Sequence, residues 1–159
     1  MFIPSWLIIG IITIVVPFVF NRLISSQDFR WFKRLRRPSW LTFEGAIPAI
    51  WITIFICGAW SAYHVWEVKP NTISTWLLMG FYLLVEVTIS LYTLLLCKTR
   101  SLKVGTIVGA TGFFLGMILA IVVLPISNTA FWLLVPYLLW SPIGTFVTWK
   151  MMQLNPLDA

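Results

Sequence analysis

Charge is what this chain has least of. Five of its 159 residues are acidic and eleven are Lys or Arg, so charged side chains make up 10% of the composition. That is too little polar surface to coat a water-soluble globule. Residue types that carry catalysis and metal binding are just as sparse. There is one histidine, His64, and there are two cysteines, Cys57 and Cys97, with the spacing of neither a metal site nor a disulfide framework. A lone histidine far from its candidate partners completes no Ser, His and acid set, and no phosphate-cradling glycine loop occurs. These absences speak against hydrolytic catalysis, a metal site and a required cofactor.

Hydrophobic residues fill the space instead, at 60% of the sequence and a mean hydropathy of +0.94. A helix needs roughly 20 mostly apolar residues to cross about 30 Å of hydrocarbon. Five stretches qualify: residues 2–24, 46–66, 74–97, 104–126 and 130–151. The expectation is an all-α membrane protein, a five-transmembrane-helix bundle that forms a single domain over residues 1–159. Its connections are short except between the first and second helices. The first stretch has neither a basic region before it nor a small-residue cleavage pattern, so it reads as a retained helix rather than a signal peptide.

A net charge of +6 in a soluble protein would suggest nucleic acid, but here the placement of the charges decides against it. Five crossings put Arg22, Arg30, Lys33, Arg34, Arg36, Arg37, Lys98, Arg100, Lys103 and Lys150 at one membrane face, and only Lys69 at the other. The positive-inside rule then sets the N-terminus outside and the C-terminus inside. A multi-pass protein of the bacterial cell membrane is the physical default, with an outer or organellar membrane as the alternative. The partner these charges imply is lipid.

Within the spans, Glu86 is the least expected residue. An acid at mid-membrane costs on the order of 3 kcal/mol on insertion scales and usually faces a bundle interior or a cavity. Tyr82, Glu86, Ser90 and Thr93 recur at helical spacing and form one polar stripe, expected to point inward. It would bind a ligand's polar group, carry a proton, or simply hydrogen-bond a neighbouring helix. Gly105, Gly109, Gly112 and Gly116 form a small-residue stripe that permits close helix approach, either within the chain or between two copies in a homodimer. Pro136 and Pro142 interrupt the last helix, where Trp140 and Gly144 lie one turn apart. A flat aromatic above a small residue is the shape of a pocket wall. Ten tryptophans and twelve phenylalanines suit a large, flat, apolar ligand with a polar handle.

The segment WFKRLRRPSW, residues 31–40, followed by Trp51, and the last helix with its end, LLVPYLLWSPIGTFVTWKMMQLNP, resemble the TspO/MBR family of translocator or tryptophan-rich sensory proteins. The resemblance covers nearly the whole chain. It implies a five-helix bundle, often dimeric, whose pocket opens toward the first connection and is covered by it. It also implies tetrapyrrole ligands such as protoporphyrin and haem, with sterols as a further class. Carried over by position, the pocket tryptophans are Trp51 and Trp140, with Ala46, Ile47, Phe55 and Gly144 beside them and Phe32, Pro38 and Trp40 in the covering segment. Tyr82, Glu86 and Ser90 are expected to add polar groups. Two features depart from the family pattern: Leu41, Thr42 and Phe43 follow Trp40 where a Pro-Pro pair is usual, and Glu86 stands where a pocket asparagine is usual.

The leading expectation is a membrane protein that binds porphyrin-type ligands for transport, scavenging or stress signalling. The alternatives are light- and oxygen-dependent porphyrin breakdown at Trp51 and Trp140, and a proton-coupled carrier that switches on Glu86.

Overall fold

The computed structural model describes residues 3–159; Phe2, included in the first expected helix, lies outside the described residues. Six α-helices follow one another: α1 (Ser5–Arg22), α2 (Ser26–Arg34), α3 (Ile47–Val68), α4 (Ile73–Thr99), α5 (Leu102–Val123) and α6 (Asn128–Leu154). A 3-10 turn, Glu44–Ala46, leads into α3, and another, Pro156–Asp158, follows α6. All the helices except α2 are long and apolar enough to cross a membrane. No strand occurs among the described residues.

Helix boundaries follow local chemistry. Hydroxyls of Thr72, Ser101 and Ser127 cap α4, α5 and α6 by accepting from the N–H three residues on, which satisfies donors that have no partner within the helix. α5 stops at Val123, short of the expected residue 126, because Pro125 has no N–H to extend the ladder. α3, α4 and α6 each run a few residues beyond their expected ends. The sequence reading assigned no helix to the first connection, where α2 forms. Its signal is Ser25-x-x-Asp28, a capping box in which each residue's side chain accepts from the other's N–H.

The five long helices pack in a ring in the order α1, α3, α6, α5, α4 and back to α1. The tightest seam joins α5 to its neighbours through the glycine stripe. A Cβ at Gly109 would lie 2.7 Å from the Thr145 hydroxyl, and one at Gly112 3.0 Å from the Tyr137 hydroxyl. Gly105 is likewise filled by Leu96, and Gly116 by the Tyr137 ring. The stripe is therefore packed inside the chain, against α4 and α6. α1 is the opposite case, with no buried residue and with Ile11, Ile14 and Phe18 among its exposed side chains.

One end of the bundle gathers the first connection, the C-termini of α1, α4 and α6 and the N-termini of α3 and α5. It carries the cations, apart from Lys69, and is the basic end of the bundle.

Candidate functional site

A cavity of about 300 Å³ opens inside the basic half of the ring. α3 contributes Ile47, Pro48 and Trp51; α4 contributes Thr88, Ile89, Tyr92 and Leu96; α6 contributes Tyr137, Trp140, Ser141, Gly144 and Thr148. Leu102, Val108, Gly109 and Gly112 form the α5 wall. Tyr92 and Thr148 are hydrogen-bonded through their hydroxyls, which ties α4 to α6 across the cavity. Trp140 is buried, and its indole N–H has no hydrogen-bond partner. That nitrogen lies over Gly144, 3.9 Å from where a Cβ would be. A buried donor without a partner forfeits the energy of a hydrogen bond, which an acceptor on a bound molecule would restore.

The first connection closes the cavity from the basic end. Phe32, Arg37, Leu41 and Glu44 line it there. Arg37 pins this lid on itself: its guanidinium donates to the carbonyls of Phe32 and Leu35 at 2.7 and 2.6 Å, pairs with Glu44 at 3.2 Å and covers the Phe32 ring at 4.7 Å. Planar guanidinium geometry suits this mixture of carbonyl, carboxylate and ring contacts.

Three further attachments hold the lid to the bundle. Asp28 pairs with Lys98 at the end of α4 at 3.1 Å. The Trp31 indole donates to Asp158 at 2.7 Å. Asn155, just past α6, accepts from the Arg36 N–H at 2.9 Å and donates back to the Arg36 carbonyl at 3.0 Å. Beneath these bonds Trp31, Leu35 and Leu41 pack with Leu96, Leu102, Val147 and Met151. The Asp28 carboxyl is held down at about 2, first by the Ser25 hydroxyl, then by the Ser25 N–H and Lys98, since hydrogen bonds and a nearby cation favour the charged form.

The structure divides the sequence-derived site residues. Phe32, Ile47, Trp51, Trp140 and Gly144 meet in the lidded cavity. Phe55 and Ser90 line an adjoining cleft between α1, α3 and α4, which shares Trp51 and Tyr92 with that cavity. Tyr82 and Glu86, with Phe55 again, line a second cavity toward the opposite end, which shares Ile89 and Tyr137 with the lidded one. Pro38 is buried within the lid, and Ala46 is exposed on the 3-10 turn. Trp40 turns outward, 43% exposed, and stacks on Phe146 with ring centroids 6.0 Å apart. The aromatic from the segment after Pro38 that reaches Trp140 is Phe43, edge-on at 6.4 Å. The polar stripe on α4 therefore serves more than one cavity. Tyr92, Thr148 and Glu44 were missed by sequence reasoning, because no local pattern sets them apart from ordinary helix and turn residues.

The model of the TspO/MBR family matches residues 7–154. The chain belongs to the TspO/MBR family. Among curated proteins, it is 26% identical over 141 residues to the tryptophan-rich protein TspO of Bacillus cereus, an alignment that spans 87% of this chain and 89% of that relative. It is also 26% identical over 132 residues to the uncharacterized membrane protein YtaB of Bacillus subtilis, spanning 80% and 82% of the two chains. The family match takes in both halves of the site, the lid segment and α6 through Leu154. It identifies a multi-pass membrane protein of this family.

Proposed function

We propose that this family member binds a porphyrin, protoporphyrin or haem, in the lidded cavity, and delivers it to or senses it at the membrane. The observation that carries the reading is the buried, unpartnered indole N–H of Trp140 inside a cavity that Trp51 also walls. Aromatic faces attract a flat macrocycle by dispersion and stacking, and the free N–H supplies one directional contact. Arg37 adds charge complementarity. It lines the cavity and already holds one carboxylate, that of Glu44, so a propionate of the ligand would compete for the same fork of donors.

The basic end faces the cytoplasm, in line with the excess of Lys and Arg there, and the bacterial cell membrane is the proposed location. The ligand enters or leaves when the lid lifts from its attachments at Lys98, Asn155 and Asp158. Equilibrium binding of protoporphyrin to the protein in lipid nanodiscs, in the dark, tests this reading. The expected result is saturable binding that protoporphyrin dimethyl ester competes for only weakly, because the ester has lost the carboxylates. Uptake equal to that of empty nanodiscs would overturn it.

A further inference from the structure

A second cavity of about 370 Å³ lies toward the end opposite the lid, walled mainly by α1, α3 and α4. Its lining is almost wholly apolar or aromatic, and it includes Phe55, Trp66, Trp76, Tyr82 and Tyr137. Among the lining residues Glu86 is the sole acid, and no Lys, Arg or His accompanies it. The hydroxyl one turn before it on the same helix face is taken: Tyr82 bonds to Ser61 at 2.6 Å, and Ser61 donates on to the Ala130 carbonyl at 2.7 Å. Glu86 Oε1 is shut off from solvent and has no hydrogen-bond partner. Two glycines in the wall, Gly58 and Gly80, leave open space where a Cβ would stand. They differ in this from Gly105, Gly109, Gly112 and Gly116, whose space is filled by neighbouring side chains.

From these features we infer that the cavity is a second ligand site, specific for a lipid-soluble amine whose nitrogen pairs with Glu86. A carboxyl without a partner in apolar surroundings is costly, and the cost is relieved by a group of opposite charge. Aromatic walls favour a cation over a neutral hydroxyl because ring faces are negative. Uncharged acid with uncharged amine, and carboxylate with ammonium, are the same atoms with one proton moved from Glu86 to nitrogen. The complex therefore brings no net charge into the bilayer. Entry is from the lipid beside α1: Ile8 and Ile12 line the cavity and are also exposed, at 46% and 40%. The inference is independent of the porphyrin reading, which concerns the other cavity.

The test is equilibrium dialysis of N,N-dimethyl-1-naphthylmethylamine against nanodiscs with and without the protein, with 1-naphthylmethanol as the uncharged match. Saturable amine binding is expected, with the alcohol at least tenfold weaker. Glu86→Gln, which keeps the shape and removes the acid, should weaken the amine at least tenfold. Gly58→Leu should abolish binding by filling the open space, and Trp140→Phe in the lidded cavity should leave it unchanged. Equal binding of amine and alcohol by the wild type would overturn the inference without reliance on any variant. So would an undiminished affinity in Glu86→Gln, or a loss in Trp140→Phe as large as that in Glu86→Gln.

Discussion

At Asp28 one carboxylate accepts from the Ser25 N–H and hydroxyl, at 3.0 and 2.7 Å, and also faces Lys98. Its pKa is lowered from 3.8 to about 2, so its hold on the lid is fully present above the ordinary carboxylate range and is lost as pH falls through about 2. Pepsin should leave the segment 26–41 of the wild type intact at pH 4 and begin to cut it as pH approaches 2, whereas Asp28→Asn should be cut already at pH 4. Equal protection of the two at pH 4 would remove Asp28 from the lid's attachment. Asn155→Ala should act on the same lid through backbone bonds. It leaves the Arg36 N–H and carbonyl, which are exposed, to water, a loss of about 0.5–1.5 kcal/mol per hydrogen bond at most, and hydrogen exchange at residues 36–41 should speed several-fold. Of the two cavity tryptophans, Trp140 was legible as an aromatic one turn from a small residue inside a span, and Trp51 through the resemblance of its surroundings to the family. The clamp was not, since Asn155 and Arg36 are separated by 119 residues and Trp31 and Asp158 by 127, and no local pattern pairs them.

Helices α5 and α6 meet where glycine leaves room for a neighbour's side chain. Gly116→Ala would press a methyl group into the Tyr137 ring, and overpacking of this kind costs about 1–3 kcal/mol. Gly10→Ala on α1 meets nothing within 4 Å. Thermal unfolding in detergent should therefore show a lowered midpoint for Gly116→Ala and none for Gly10→Ala; equal midpoints would mean that the stripe is not a packing seam. Spacing alone revealed the stripe, but it gave no direction around the helix axis. The same limit applies to α4, where Tyr82, Glu86, Ser90 and Thr93 share a face but are spread over more than ten residues. At 1.5 Å per residue that is about 16 Å of depth, enough for one stripe to serve a cavity at each end. The number of long helices was readable because apolar runs of membrane length have no competing interpretation. α2 was hidden behind its basic and aromatic composition, although its capping box was in plain view.

Across the whole molecule, charge and cavity lie in register: the cations gather at the end where the lidded cavity is closed, and α1 presents an apolar face to lipid. The proposed orientation is checked with single cysteines in a background lacking Cys57 and Cys97. A membrane-impermeant maleimide added to intact cells should label Pro70→Cys and spare Gln153→Cys; the reverse pattern would invert the topology. The claim that reaches furthest is that Trp51 and Trp140 form the porphyrin site. It is tested most directly by titrating the purified protein with protoporphyrin in the dark, following tryptophan quenching in the wild type, Trp51→Phe and Trp140→Phe. The account predicts saturable quenching whose affinity falls by about three- to tenfold in each variant, as expected for aromatic contacts worth about 0.5–1.5 kcal/mol; saturation at the same affinity in all three proteins would contradict it.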